Sequence, residues 1–236
     1  MLCKIADLLV EIPEAGGMSP RCRDYLVECH ASADIVIKEE RYSSDKWKTI
    51  PPEYVPYMDS GWQFYCKLLN FDGMMLHSSA IELDGEAYLF SGPSGMGKST
   101  HTRLWHKEFP SARVFNDDQP ALRKIDGVWY AYGTPWCGKD GININMKVPV
   151  KGICFLRQGE ENKIRRLTMI EAAAAIISQT NRRFASVEGL GMMTDLVDRL
   201  VRDIPVYELV NRPEPEAALM SYRAMNRADC EIKDED

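Results

Sequence analysis

No apolar stretch in this 236-residue chain is long enough to span a bilayer, so an integral helical membrane protein is not expected. Basic residues are in short supply: 29 Lys and Arg stand against 35 Asp and Glu, a formal net charge of −6. A general nucleic-acid binder usually carries the opposite excess, so neither nucleic acid nor membrane is an expected partner, although a local basic pocket is allowed. Close cysteine pairs are missing too. The seven cysteines (Cys3, Cys22, Cys29, Cys66, Cys137, Cys154 and Cys230) include no zinc-knuckle or redox spacing, and reduced, mostly buried thiols are expected. Asp7 and Glu11 sit badly in a signal-peptide core, which makes the expectation a cytoplasmic protein. Internal repeats and low-complexity tracts are also lacking.

What is present is an ordinary core-forming share of 45% hydrophobic residues and a pattern of strands alternating with helices. Residues 33–40 alternate like a strand, and 49–56, with three prolines, read as a connector. Residues 59–71 have helical spacing, with Trp62, Cys66 and Leu69 on one face and Asp59 or Ser60 as cap. Asp84–Gly85 and Asp126–Gly127 each separate two apolar runs and suit tight hairpin turns. Helices are expected over 98–109, ended by Pro110, over 168–180 with Glu171 near its start, and over 214–226. A weaker helical pattern over 187–204 is interrupted by Gly189 and Gly191, and strands are expected over 148–158 and 204–210. The hairpins indicate an α/β protein with a mixed sheet and flanking helices.

Between the strand 86–91 and the helix at 98 lies Gly92-Pro93-Ser94-Gly95-Met96-Gly97-Lys98-Ser99, a full G-x-x-x-x-G-K-[S/T] pattern. Glycines let backbone amides turn inward toward phosphate oxygens, and the helix start adds unpaired amides and a positive dipole end. Lys98 would supply a mobile charge to the β- and γ-phosphates, Ser99 a hydroxyl to Mg²⁺, and Thr100 a contact to the α-phosphate. The loop does not separate ATP from GTP. Phosphoryl transfer also needs carboxylates, and Asn116-Asp117-Asp118 follows a short strand at 112–115. One acid could hold the metal through water while its neighbour takes a proton from the attacking hydroxyl; their repulsion would raise one pKa. The competing reading is a plain surface turn before Pro120.

Other residues leave alternatives open. His77, placed in the strand before the first hairpin, is either structural or part of the site. The loop-rich stretch 133–147, with Lys139 and Asn143, is a lid over phosphates or a long turn. Cys137 has no adjacent histidine and is not expected to be a nucleophile. The run 162–167 and the pair Arg182–Arg183 are solvated faces, or supply an arginine to the triphosphate.

In their order and spacing, His77, the loop 92–99 and the Asp117–Asp118 pair resemble the catalytic domain of HPr kinase/phosphorylase, over roughly residues 74–156. That family has a P-loop fold related to the nucleotide-binding domain of phosphoenolpyruvate carboxykinase. The resemblance implies a small relative in which Lys98 and Ser99 bind ATP phosphates and Mg²⁺, Asp118 is the acid/base toward a hydroxyl, Asp117 serves metal or support, and His77 lines the site. The family's second, glycine-rich motif is matched loosely by Asp140-Gly141-Ile142-Asn143, and its separate amino-terminal domain has no evident counterpart.

The expectation is therefore an ATP- (or GTP-) and Mg²⁺-dependent phosphotransferase acting on a protein or peptide serine or a small-molecule alcohol, with homo-oligomerisation allowed. Residues 1–73 would form an amino-terminal extension packed on a kinase-like unit of residues 74–236. A nucleotide-sensing module with little catalysis is the alternative. A carboxykinase-like lyase fits less well, since the chain leaves little room for a substrate domain.

Overall fold

The computed structural model describes residues 1–14, 17–39, 50–180 and 186–227; Arg182, Arg183, Cys230 and the acidic tail lie outside the described residues. Twelve described strands form two sheets, accompanied by six described α-helices, in the order β1 (Leu2–Ile5), β2 (Leu8–Glu11), α1 (Met18–Cys22), β3 (Ile35–Val36), α2 (Val55–Leu68), β4 (Gly73–Met75), β5 (Ser78–Leu83), β6 (Glu86–Ser91), α3 (Lys98–Glu108), β7 (Arg113–Asn116), β8 (Ala121–Ile125), β9 (Val128–Tyr132), β10 (Lys147–Gln158), β11 (Lys163–Arg166), α4 (Met169–Ser178), α5 (Val187–Asp203), β12 (Val206–Asn211) and α6 (Pro215–Asn226). The protein is α/β, with a mixed, curled sheet and flanking helices.

The large sheet runs β4-β8-β9-β10-β6-β5-β7, with β12 on β10 and β11 on β12. Its spine is β10, which pairs antiparallel with β9 near its start and parallel with β6 and then β12 further on. Successive side chains point to opposite faces and both faces are covered, so Ala87–Phe90 of β6 and Ile153–Leu156 of β10 are continuous apolar runs. Ala87, Leu89, Ile153 and Phe155 face α4 and α5, packing with Ile176, Leu196 and Leu200. Tyr88, Phe90, Cys154 and Leu156 point the other way, toward Trp105 of α3 and Ala217 and Ala218 of α6. Each such large side chain contributes about 1.5–3 kcal/mol by leaving water. Both foreseen hairpins form, with Asp84, Gly85, Asp126 and Gly127 all at positive φ.

The amino-terminal segment differs most from expectation. A small β1-β2-β3 sheet is present, and the strand read over 33–40 shrinks to Ile35–Val36. Helix α2 starts one turn early, with Pro56 in its first turn, so Asp59 and Ser60 lie inside it, buried, and do not cap it. Its buried face is Phe64, Tyr65 and Leu68, while Trp62 and Cys66 are half-exposed: Trp136 stacks on Phe64 at 4.7 Å and fixes that face. This segment is joined to the large sheet by Tyr132 and Lys147, which both reach Asp7 Oδ2 at 2.8 Å, and by Arg123 of β8.

Helix α5 is continuous: Gly189 and Gly191 fall in its first turns, Ser186 caps it through Gly189 N at 3.1 Å, and Met193, Leu196, Val197 and Leu200 form its buried stripe. The run 162–167 is exposed or half-exposed, in keeping with the solvated-face reading, and contains the edge strand β11, whose Arg165 pairs with Glu208 and Glu171. Among the described residues, no helix is long and apolar enough to cross a membrane.

Candidate functional site

Strand β6 delivers the chain into residues 92–97, and α3 begins at Lys98. Gly95 (φ +85°) and Gly97 (φ +94°) adopt the left-handed conformation that glycine permits, and no atom lies within 4 Å of where a Cβ would stand at either. His101 N donates to Gly97 O at 2.8 Å, which starts α3 and leaves its preceding amides unpaired by the helix. Lys98 Nζ folds back to the carbonyls of Gly92 (2.8 Å) and Pro93 (3.4 Å). Burial lowers the Lys98 pKa, and the negative charge of Asp118 opposes that shift. Ser94, Gly95, Gly97, Lys98, Ser99 and Thr100 line a cleft of about 470 Å³. Gly92, Pro93 and Met96 do not: they shape the turn, with Met96 N donating to Pro93 O at 3.2 Å and Gly92 lying against the Leu156 backbone.

The opposite wall comes from the end of β7. Asn116 is fully buried and organises the turn: its Oδ1 accepts from the amides of Asp118 (3.1 Å) and Gln119 (2.8 Å), and its Nδ2 donates to the carbonyls of Thr134 and Trp136. This turn aims Asp117 and Asp118 into the cleft. Asp118 Oδ1 lies 3.0 Å from His77 Nε2, and Gln119 donates to Oδ2 at 3.1 Å. Burial pushes the Asp118 carboxyl up, but His77, Gln119 and the charge of Lys98 together hold it below the usual range. His77 sits in the break between β4 and β5 and not inside a strand, and its Nδ1 meets Gln179 Oε1 at 3.1 Å.

Asp117 has other partners. Its Oδ1 accepts from Gly138 N at 2.7 Å and its Oδ2 from Asp140 N at 3.2 Å. Its pKa is raised, chiefly by burial; repulsion from Asp118, the cause expected from the sequence, is a smaller contributor. The loop carrying Gly138, Lys139 and Asp140 thus forms a third wall of the cleft, and a more open groove of about 750 Å³ continues on its far side past Arg21, Tyr54 and Tyr57. Cys137 is tied into that partition, its Sγ accepting from Arg21 at 2.6 Å and its carbonyl from Tyr57 OH at 2.8 Å. Burial raises the Cys137 thiol pKa, which leaves it a poor nucleophile. Asn143, in contrast, bonds the Arg21 and Tyr25 side of the molecule.

All the acids, the lysine and the histidine singled out from the sequence are thus gathered around one cleft. Sequence reasoning missed Gln179, whose separation of 102 residues from His77 leaves no local signal. It also missed the hub role of Asn116, for which an Asx-turn signature was available in the N-D-D-Q string.

Fold and site together define an α/β protein whose mixed sheet presents a glycine-rich strand-to-helix loop opposite a pair of carboxylates. Residues 53–211 match the family described as SynChlorMet cassette protein ScmC, and the chain belongs to that family. The match starts before residue 74 and so takes in α2 as well as the cleft. No curated protein matches the chain. Among solved structures, the Hpr(Ser) kinase/phosphatase from Coxiella burnetii is similar at 10% identity and a TM-score of 0.35, over 64% of this chain and 94% of that one. At that score the likeness is loose and decides neither fold type nor activity.

Proposed function

We propose that this chain is a P-loop phosphotransferase that moves the γ-phosphate of ATP, or GTP, to a hydroxyl acceptor in the presence of Mg²⁺. The observation that carries the reading is a single cleft with inward-turning glycines, Lys98 and a helix start on one wall and the His77–Asp118 pair on the other. The donors suit the metal, since Ser99 and the two carboxylates are hard oxygen ligands of the kind Mg²⁺ selects. When bound, Mg²⁺ would neutralise charge on the phosphate oxygens.

The protein's own groups account for the rest. Amides of residues 94–99 and the start of α3 hold the phosphate chain, and Lys98 leaves its own loop carbonyls to meet it. Asp118, oriented by His77, takes the proton as the acceptor oxygen bonds to the γ-phosphorus and the β–γ bridging bond breaks to leave the nucleoside diphosphate. Gln179 and Gln119 fix the orientation of that pair.

Purified protein with Mg²⁺ and γ-labelled ATP or GTP, given serine peptides and polyols, is expected to yield labelled product. Lys98→Ala and Asp118→Asn should each lower the rate by about a hundredfold or more. Tight nucleotide binding with no transfer to any acceptor or to water would favour a nucleotide sensor, and full activity in Asp118→Asn would remove that residue as base.

A further inference from the structure

We infer that Lys139 is a second phosphate-contacting cation, held at the outer end of the phosphate chain by Asp117 acting as a loop anchor; this rests on the nucleotide reading above. Three observations meet here. Lys139 stands on the partition beside the two acids, bordering both the cleft and the neighbouring groove, and makes no ion pair with any described residue. The residues on either side of it, Gly138 and Asp140, each donate a backbone amide to Asp117, one to each carboxylate oxygen. The residue before them, Cys137, is held at its carbonyl by Tyr57 and at its sulfur by Arg21. An exposed lysine on a free loop would lose much rotamer and backbone freedom on meeting an anion; pinning its neighbours removes part of that cost in advance. Gly138 is required for this closeness, since a Cβ there would lie 2.8 Å from Asp117 Oδ2. Asp117 is therefore a positioning residue whatever it offers a metal, and Lys139 is a contact residue for the phosphate furthest from the nucleoside.

The test is calorimetric binding of ATP and of ADP to the full chain, with Mg²⁺ and in excess EDTA. Lys139→Ala should weaken ATP binding about tenfold while ADP changes less than about twofold, and Lys139→Arg should restore most of the loss. Asp117→Ala should show the same selective loss, persisting in EDTA, and the double variant should be no worse than the weaker single one. An unchanged ATP-to-ADP ratio in Lys139→Ala overturns the assignment while leaving nucleotide binding intact. An Asp117→Ala effect that disappears in EDTA, or that adds fully to that of Lys139→Ala, overturns the anchor role. Wild-type protein that binds neither nucleotide removes the proposal and the reading beneath it together, a result distinct from the others.

Discussion

His101 lies one turn beyond Lys98, in the helix that opens the cleft, yet none of its ring reaches water. Ser221 Oγ donates to Ala218 O, so the 3.1 Å contact makes His101 Nε2–H the donor, while Nδ1 has no partner among the described residues. Burial depresses its pKa to about 3. An unfolded histidine binds a proton below about pH 6.5, whereas the folded one stays neutral until far lower. Stability should therefore fall as pH drops from about 6.5, by up to about 1.4 kcal/mol per unit from this residue. Asp118, whose folded pKa is depressed, loses its contribution only at lower pH, below the ordinary carboxylate range. Denaturant midpoints at pH 7, 6 and 5 should show the decline in wild type and a flatter profile in His101→Gln. An identical slope in both would mean that the ring is not sealed from protons.

Elements set the precision of the site. Thr168 and Glu171 form a reciprocal capping box at the start of α4, the helix whose end carries Gln179 to His77. Thr168→Ala should lower stability by about 1 kcal/mol, read by urea unfolding. Replacing Gly138 with Ala acts differently, because the new methyl must displace the Asp117 carboxylate and with it the third wall of the cleft. The expected outcome is a fall in the proposed phosphoryl transfer of about tenfold or more with little change in unfolding midpoint; equal damage to both would point to a folding defect instead. The two D-G hairpins were legible because that dipeptide tolerates the positive φ of a tight turn. The β1–β2 hairpin escaped notice because it turns at Ala6–Asp7, with φ of 51° and 62° and no glycine to announce it.

At the scale of the whole molecule, the amino-terminal segment and the large sheet share buried polar joints. Arg123, almost fully buried, donates to Phe71 O at 2.9 Å and Ala6 O at 2.5 Å. Charge-assisted bonds of this kind contribute about 1.5–3 kcal/mol each, and truncating one partner strands buried carbonyls. Arg123→Ala should therefore lower stability by about 3 kcal/mol in chemical denaturation. A loss under about 0.5 kcal/mol would show that the joint does not couple the two sheets.

The glycine-rich loop, the pair of acids after a short strand and the two D-G turns are local features, set by φ preferences and residue chemistry within a few positions. Those the sequence determined unaided. Which acid faces His77 and which anchors the 138–140 loop depended on packing: Asn116, at the head of the turn, is held by the carbonyls of Thr134 and Trp136 beyond β9, while His77 meets Asp118 and Gly138 meets Asp117. Contacts between residues so far apart in the chain leave no periodic trace, so the tertiary structure alone decided them.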